Sequence, residues 1–412
     1  MNSSLFIAKK IITASNSSKN NSQTIIKIAT YGTILSTVIM ILTIFISYGF
    51  KENIIDKVRG FSSDYQIINF DANQSFDYQA ISINQKQKNK ITEIQAVKSI
   101  SGFITKPAIL KFEGNIEGIV LKGYSETENY DFFKKHIIEG EFPDFTNKEI
   151  LISEDLAKQL QLKIADKVLL YFIQEPVRYR KLKISGIYKT DIYEFDHLFA
   201  VVDINILQKL NGWEDNIVSG YEINTFSKPK SDIIQKQIDK IIRPQYFSDD
   251  NAQILKSLST KERFQEFYFW FDLFDTNVIV IISLMVAVAI INLISALLIV
   301  ILENTNKVGL LKAFGADNKT IRNIFIYFSA YLTIKGLFWG NVIALIIGFI
   351  QKEFHIIPLD AVHYFISYVP ISFDWTSLII LDLATVSLIT ITLLIPSNYI
   401  SKISPIKVIR FN

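Results

Sequence analysis

One tyrosine and four acidic residues are the side chains in this sequence best placed for acid–base chemistry. Tyr221 and Glu222 are adjacent, and Asp191, Glu194 and Asp196 lie close together in another segment. A pair of carboxyl groups works as general acid and base only when their separation is fixed. No local pattern fixes the separation here, so solvated acids are the expected outcome and no catalytic residue is predicted.

Patterns for metal and nucleotide binding are also sparse. Of the four histidines, His355 and His363 share one short segment with Asp360, which is weak evidence for a metal site. The chain has no cysteine, which excludes disulfides, thiol catalysis and cysteine metal sites. It also lacks the G-x-x-x-x-G-K-[S/T] phosphate loop, so it does not bind ATP in the Walker manner. These observations predict neither a metal nor a cofactor, and a chain that is not itself an enzyme.

Four apolar stretches predict membrane spans. The hydrophobic fraction is 49% and the mean hydropathy +0.26, which is high for a water-soluble protein, while the net charge of +3 argues against nucleic-acid binding. A bilayer core needs about 20 apolar helical residues. A cleaved signal peptide is disfavoured for the first stretch, because its apolar run is too long and has no small-residue cleavage pattern. The predicted spans are 28–48, 277–302, 330–350 and 376–395.

The orientation of these spans follows from lysine and arginine in the short flanking segments. Segment 1–27 and tail 396–412 carry basic residues and no acid, and segment 303–329 is also mainly basic. Loop 351–375 is mainly acidic. We therefore expect both termini and segment 303–329 in the cytoplasm, with residues 49–275 and 351–375 outside it.

Two charged residues fall within the predicted spans. Lys335 lies in the third span and Asp382 in the fourth, and intramembrane charges raise the hypothesis of a relay. Their predicted depths differ by on the order of 13 Å, at about 1.5 Å per residue, which is too far for a direct pair. We expect each side chain to reach towards its nearer membrane face.

Residues 49–275 are predicted to form a mixed α/β domain. Alternating apolar and polar residues on either side of Gly114-Asn115 predict a hairpin, and 168–173 and 181–188 predict further strands. Capping residues predict helices after Ser153, Asp203 and Ser231. The aromatic run 263–274 fits an interfacial belt or a helical stalk.

The segment between the second and third spans is amphipathic. Val308, Leu311 and Phe314 recur every three positions with Leu310 beside them, which predicts one apolar stripe on a short helix. Gly315 fits the C-terminus of that helix. The sequence that follows predicts a new helix capped near Asp317. Two interpretations remain open from the residues alone: a rigid docking element for a cytoplasmic partner, or a helix lying on the inner leaflet with Lys307 and Lys312 against anionic lipid.

The segment "LENTNKVGLLKAFGADNKTIRNIF" resembles the ATPase-contacting segment of FtsX/MacB-type ABC transporter permeases. Lipoprotein-releasing permeases of the LolC/LolE group resemble the chain over nearly its full length. Further similar segments are "YGFKENIIDKVRGFSSDYQI", "NKEILISEDLAKQLQLKIADKVLLYF", "IPLDAVHYFISYVPISFDW" and "IPSNYISKISPIKVIRF". The resemblance implies a MacB-like periplasmic core between the first two helices. It also implies that the ATPase is contacted by Glu303, Lys307, Val308, Leu310, Leu311, Lys312, Phe314 and Gly315.

The sequence departs from the family pattern at two places. The usual Gly-Asp after a helix of the periplasmic core is here Ala165-Asp166, which alters one turn. In the third span, Lys335 replaces the common Gln or Glu and is followed by the G-x-x-x-G of Gly336 and Gly340. That motif permits close helix approach but is a weak dimerisation signal by itself.

The resemblance implies a multi-pass protein of the bacterial inner membrane that works with a pair of cytoplasmic ATPase subunits and a second permease subunit. The implied cargo is a lipoprotein, handed to a periplasmic carrier. Acyl chains held in a membrane by about 0.8 kcal/mol per CH₂ need an energy source for extraction. The alternatives are a MacB-type efflux permease and an FtsX-like regulator of cell-wall hydrolases that moves no cargo. The sequence leaves open the cargo-binding residues, and whether the second permease is a copy or a paralogue.

Overall fold

The computed structural model describes residues 21–71, 76–125, 131–144, 147–226, 232–242 and 254–397. The described chain divides into two compact units. One unit contains residues 21–52, 270–358 and 369–397, and the other contains 53–269 and 359–368. The predicted terminal segments 1–27 and 396–412 lie mostly outside the described residues, including all of the basic residues that predict their orientation except Lys27.

The first unit is built from long apolar helices. Four helices of the described chain are long and apolar enough to cross a membrane. They extend beyond the predicted spans, because the apolar cores continue into helical flanks. The helices of this unit are α1 (Asn21–Ser62, whose last ten residues belong to the second unit), α9 (Gln265–Glu303, whose first five residues belong to the second unit), α10 (Thr305–Ala313), α11 (Asn318–Phe354) and α13 (Trp375–Ser397).

Two glycines bring α1 and α11 close together within this unit. A Cβ built on Gly336 would lie 2.5 Å from Thr33 Cγ2, and one on Gly340 would lie 2.6 Å from Thr37 Cβ. Neither position has room for a side chain. The G-x-x-x-G of the third span therefore contacts the first span of the same chain.

The second unit is a mixed α/β domain around one sheet. Its strands are β1 (Tyr65–Asn69), β2 (Val97–Phe112), β3 (Asn115–Tyr124), β4 (Ile137–Gly140), β5 (Glu149–Ser153), β6 (Lys167–Phe172), β7 (Arg178–Tyr188), β8 (Phe199–Asp203), β9 (Gly220–Thr225) and β10 (Leu255–Ser259). They follow the order β10-β1-β9-β2-β3-β8-β5-β7-β4, and β6 pairs with β2 and β7.

Short helices cover this sheet and contribute to its apolar core, with Leu156, Leu207 and Ile238 buried against the strands. The helices of the second unit are α2 (Gln85–Thr92), α3 (Asp131–His136), α4 (Glu154–Gln159), α5 (Tyr193–Leu198), α6 (Ile204–Asn211), α7 (Ile233–Ile242), α8 (Thr260–Arg263) and α12 (Ala361–Tyr364).

The predicted hairpin is present, with its turn one residue earlier than expected. Strands β2 and β3 pair antiparallel with Phe112 opposite Asn115, so Glu113 and Gly114 form the two-residue turn. Both turn residues have positive φ, 46° and 96°, as a type I′ turn requires. The two further predicted strands correspond to parts of β6 and β7.

Helix caps agree with the sequence where they can be compared. Ser153 accepts a hydrogen bond from the Leu156 amide at the start of α4, and Asp203 accepts one from Asn205 at the start of α6. Asp317 accepts one from Thr320 at the start of α11. The predicted cap Ser231 lies outside the described residues, although α7 begins shortly after it.

The aromatic run before the second span is helical. Ser259 caps α8, and α9 begins at Gln265 and continues as one helix to Glu303. The sequence of residues 263–274 fits an interfacial aromatic belt or a helical stalk, and the backbone of these residues is mostly helical.

Candidate functional site

The predicted coupling segment is a short helix held at its start by a buried asparagine. Asn304 separates α9 from α10 and is 8% exposed. Its Nδ2 donates to the Val300 carbonyl at 2.8 Å, and Lys307 Nζ donates to its Oδ1 at 3.0 Å. Lys307 therefore stabilises the corner between the helices in addition to carrying charge.

The end of α10 is fixed by a glycine in the left-handed region. Gly315 has φ +90°, its N–H donates to the Lys312 carbonyl at 3.0 Å, and the Ala316 N–H donates to the Leu311 carbonyl at 3.0 Å. These two bonds form a Schellman motif, which closes the helix and satisfies its last carbonyls. Asp317 then starts α11 at once, so α10 is defined at both ends.

The apolar residues of this segment divide between two roles, and the prediction of one continuous stripe is wrong. Val308 is buried among side chains of α9 and α11, including Leu297 and Phe325. Phe314 follows the helix as its C-cap and is 81% exposed, and Leu310 is 55% exposed. One apolar residue anchors the helix, and two remain on its outer surface.

The other predicted contact residues surround this exposed pair. Glu303, Lys307 and Gly315 are exposed, and Leu311 and Lys312 are half-buried. The segment therefore offers an apolar pair with charged neighbours on a helix fixed at three points: Asn304, Val308 and Gly315. We call Leu310, Phe314 and their charged neighbours the α10 surface.

In the second unit, the end of α1 is bound by an ion pair. Arg59 contacts Asp64 through two nitrogens, Nε and Nη2, the latter 3.0 Å from Oδ2. Asp64 Oδ2 also accepts hydrogen bonds at 2.7 Å from the N–H and the hydroxyl of Thr225 on β9. This arrangement joins the last turn of α1 directly to the sheet.

A second, fully buried ion pair lies beside the first. Lys122 of β3 and Glu222 of β9 are 2.7 Å apart, and their side chains are 3% and 4% exposed. Lys122 Nζ also donates to the Phe61 carbonyl at the end of α1 and lies 4.7 Å from the centre of the Phe61 ring. Gln66 donates to Glu222 at 2.8 Å. The end of α1 therefore lies on a desolvated polar cluster in which the two charges neutralise each other.

The segment that precedes α9 is hydrogen-bonded to the residues that directly follow α1. Thr260, the first residue of α8, donates its hydroxyl to the carbonyls of Ser63 at 2.7 Å and Asp64 at 2.8 Å. The Thr260 N–H donates to the Asp64 carbonyl at 3.0 Å. The exit from α1 and the return towards α9 are thus tied to each other; we call Arg59, Asp64, Lys122, Glu222 and Thr260 the α1 anchor.

Part of the predicted loop 351–375 packs in the α/β domain. Residues 359–368 belong to the second unit, whereas the rest of the loop belongs to the first. Lys57 Nζ donates to the Phe365 carbonyl at 3.3 Å, and Ser367 donates to Asp191 at 3.2 Å. Lys57 and Asp191 also contact each other at 3.3 Å.

Three of the four acids considered for catalysis have structural partners, and the fourth, Glu194, is exposed. Glu222 and Asp191 are engaged as described above, and Asp196 accepts hydrogen bonds from Thr190 and from the Asp191 N–H. Burial raises the pKa of Asp196 to about 6, although those hydrogen bonds act in the opposite direction. Their positions are those of fold-supporting residues.

The two intramembrane charges differ from each other. Lys335 is exposed on α11, away from the buried positions of the helix. Asp382 is half-buried and accepts a hydrogen bond at 3.0 Å from Asn341 Nδ2. The expectation that Asp382 reaches towards the outer face is wrong, because its carboxylate bonds to the neighbouring helix.

Sequence reasoning missed the α1 anchor and the role of Asn304. The signal for Asn304 was a polar residue between two helical patterns. Lys122 and Glu222 gave no such signal in the sequence, because each looks like an ordinary solvent-facing residue until the strand order is known.

Part of the chain matches a known protein family, and most of the chain is similar in sequence to known proteins. Residues 279–405, which include α10, match the family described as FtsX-like permease C-terminal. The chain is 23% identical over 386 residues to the lipoprotein-releasing system transmembrane protein LolC of Buchnera aphidicola, covering 90% of this chain and 89% of that protein. It is 20% identical over 347 residues to LolE of Haemophilus influenzae, covering 79% and 80%.

Two solved structures also align with part of the chain. The periplasmic region of MacB from Actinobacillus actinomycetemcomitans aligns over 52% of this chain and 97% of its own length, at 12% identity and a TM-score of 0.36. The extracellular domain of the ABC-type transporter YknZ aligns over 47% and 98%, at 14% identity and a TM-score of 0.34. The resemblance of the chain to FtsX-type permeases, and over most of its length to the LolC and LolE proteins, is confirmed by the sequence matches.

Proposed function

We propose that this chain is the permease subunit of an ABC transporter in the bacterial inner membrane, and that its transport cargo is a lipoprotein. The sequence similarity to LolC and LolE over most of the chain supports the cargo class. The ATP is hydrolysed by a separate cytoplasmic pair of subunits. A second permease subunit, a copy or a paralogue, completes the membrane part, and a periplasmic carrier receives the lipoprotein.

The observation that carries this proposal is the α10 surface. The fixed ends of α10 hold its exposed apolar residues in a defined position on the surface of the described chain. Here Val308 fixes the helix while Leu310 and Phe314 remain exposed at its outer side. Such an arrangement suits a hydrophobic cleft of a partner, since a few large buried side chains carry most of the energy of an interface.

The proposed mechanism moves force from the α10 surface to the α/β domain. ATP-driven closure of the ATPase pair displaces α10, and α9 and α1 carry that displacement along their length. The α1 anchor joins the C-terminal end of α1 and the segment that precedes α9 to the same part of the sheet, so a displacement of these helices pulls on the domain. The ion pairs of the α1 anchor resist separation of α1 from the sheet, because breaking such a pair would leave an uncompensated buried charge.

The contact of residues 359–368 with the α/β domain supports the proposed topology. This segment follows the third long helix, and most of the domain follows the first. Two crossings between these points would return the chain to the same side of a membrane, and the contacts of Lys57 with Phe365 and of Asp191 with Ser367 support this arrangement. We place this side in the periplasm and the α10 surface in the cytoplasm.

The docking role is tested by replacing Leu310 and Phe314 with aspartate and co-purifying the partner ATPase. We expect the amount of ATPase that co-purifies with the doubly substituted chain to fall at least tenfold, since two apolar side chains are replaced by charged ones. Phe226→Asp is the matched control, because Phe226 is 73% exposed but lies in the α/β domain. Unchanged association and stimulation in the double variant would reject the docking role and favour the leaflet-lying connector.

The cargo is tested separately by depletion of the protein in cells. Accumulation of mature lipoproteins in the inner membrane is the expected result. Normal lipoprotein sorting with altered cell separation would instead identify an FtsX-like regulator, and sensitivity to drugs or toxins would identify a MacB-type efflux permease.

A further inference from the structure

Two polar side chains pair between two apolar helices of the first unit, and a third buried polar side chain lies one turn away. Asn341 lies on α11, and Asp382 and Thr385 lie on α13. Asn341 Nδ2 donates to Asp382 Oδ2 at 3.0 Å. Asp382 and Thr385 are three residues apart, so they occupy the same face of α13, about one turn from each other.

The orientation of the Asn341 amide is determined by its two acceptors. Its Nδ2 donates to the Leu337 carbonyl at 2.8 Å as well as to Asp382. Turning the amide over would place its oxygen against a carbonyl and a carboxylate, where neither could donate a hydrogen. The remaining Asn341 Oδ1 is therefore an acceptor.

Each of the three side chains keeps one oxygen unused. Asn341 Oδ1, Asp382 Oδ1 and Thr385 Oγ1 are buried and have no hydrogen-bond partner among the residues that the structure describes. Thr385 is 1% exposed. Other threonines of the long helices, including Thr33, Thr37, Thr333 and Thr390, donate to the carbonyl four residues earlier. Thr385 is unlike them, since its hydroxyl is not spent on its own helix.

No basic side chain neutralises Asp382 within the described part of the chain. Between Arg322 and Lys352, the only charge on α11 is Lys335, which is exposed and lies about 9 Å nearer the start of the helix than Asn341 at about 1.5 Å per residue. Helix α1 has no ionisable side chain between Lys27 and Lys51 other than tyrosine, and α9 has none between Asp275 and Glu303. A carboxylate in this environment needs a positive charge, because burying it alone is costly.

We propose that Asp382, Asn341 and Thr385 form an intramembrane site for one monovalent cation, either a proton or a sodium ion. Carboxylate, amide and hydroxyl oxygens are the hard ligands that a sodium ion takes, and the three unused oxygens supply one of each. A proton would instead bind Asp382 Oδ1 and be donated to Asn341 Oδ1. The acid and the amide would then exchange two hydrogen bonds. In either form the cation removes the net charge and holds α11 against α13.

The site is tested by thermal unfolding of the full chain in lipid nanodiscs. Sodium chloride is exchanged for choline chloride at constant ionic strength, and pH is varied separately in choline chloride. We expect the wild-type midpoint to rise by a few degrees with sodium or on acidification. Asp382→Asn keeps the shape and pairs with Asn341 without a charge, so it should abolish the sodium response and make the response to acidification smaller than that of the wild type.

Two further variants show whether the bound cation is a sodium ion or a proton. If the bound cation is sodium, Thr385→Val should raise the sodium concentration needed for half of the midpoint shift at least tenfold. If it is a proton, the response of this variant to pH should be nearly unchanged. Thr390→Val is the matched control on the same helix and should leave either response intact, because the Thr390 hydroxyl bonds its own helix. Identical responses of the wild type and Asp382→Asn to both ions would overturn the proposal.

A measurement on the unsubstituted chain covers the case in which Asp382→Asn does not fold. Dicyclohexylcarbodiimide, a lipid-soluble reagent for carboxyl groups, is allowed to react with the nanodisc-embedded protein, and modification of Asp382 is measured by mass spectrometry. Protection by sodium, or increased modification on acidification, is expected. Modification that is independent of both would contradict the site.

Discussion

Lys122 and Glu222 form an ion pair 2.7 Å long in the interior of the α/β domain, beneath the end of α1. Their strands are not neighbours, since β2 lies between β9 and β3. The pair therefore spans the sheet, and the Phe61 carbonyl of α1 completes it. This cluster connects the end of α1 to the body of the domain, as the Arg59–Asp64 pair beside it also does.

Removing one partner of this pair should be strongly destabilising. Lys122→Met leaves Glu222 buried without its cation, and breaking such a pair costs about 3 to 5 kcal/mol. The double variant Lys122→Met, Glu222→Leu should recover much of that loss, because no charge remains buried. Chemical denaturation of the purified full chain measures both. A double variant less stable than the single one would show that the pair is not the source of the loss.

The turn at Ala165 should be improved by glycine. Ala165 has φ +72°, a conformation that costs a residue with a Cβ about 1 kcal/mol or more. Its side chain is exposed, and its N–H donates to the Ile184 carbonyl at 2.9 Å, a bond that glycine retains. We expect Ala165→Gly to raise the free energy of unfolding by about 0.5 to 1 kcal/mol.

The matched control for that change is Ala157→Gly, inside helix α4. There glycine should lower the free energy of unfolding by about 1 kcal/mol, because it adds backbone freedom to the unfolded chain and removes a buried methyl group. Destabilisation at both positions would mean that the turn is not strained.

The stability of the α/β domain should decrease as pH rises from about 4 to about 6. Burial raises the pKa of Asp196 to about 6 from an ordinary value of 3.8. In this interval the folded chain binds more protons than the unfolded chain, so deprotonation favours unfolding. Above about pH 7 this contribution is constant. Asp196→Asn should remove this part of the slope, which is measured as the difference between the two denaturation profiles. Parallel profiles would exclude Asp196 as its source.

Close contact between α1 and α11 predicts sensitivity at two glycines. Gly336→Ala and Gly340→Ala each place a Cβ within 2.6 Å of Thr33 or Thr37, so the helices must separate. Overpacking of this kind costs about 1 to 3 kcal/mol. Gly348→Ala is the control, since its nearest atom, at 3.1 Å, is the end of the Phe373 ring, which can turn aside. Thermal unfolding in nanodiscs compares the three, and equal midpoints would contradict the packing.

Local features of this fold were readable from the sequence. The hairpin at Gly114, the caps Ser153, Asp203 and Asp317, and the end of α10 at Gly315 all depend on a few neighbouring residues with strong conformational preferences. The exposure of Phe314 was less readable. The three-residue spacing predicts a shared face only while the helix continues, and here it ends at Ala313.

Long-range features could not be derived in the same way. The pairing of Lys122 with Glu222 depends on strand order, and that of Asn341 with Asp382 depends on the rotation of two helices about their axes. The division of loop 351–375 between the two units depends on tertiary contacts of Phe365 and Ser367. None of these relationships has a signature within a single stretch of sequence.

The central claim is that the α10 surface faces the cytoplasm, where an ATPase can contact it. Because the chain has no native cysteine, Lys312→Cys provides a single labelling site in an otherwise unreactive protein. Right-side-out spheroplasts are treated with a membrane-impermeant maleimide, with Phe226→Cys in the α/β domain as the control. The account predicts that residue 226 is labelled at once and residue 312 only after the membrane is permeabilised. Labelling of residue 312 in intact spheroplasts would contradict it.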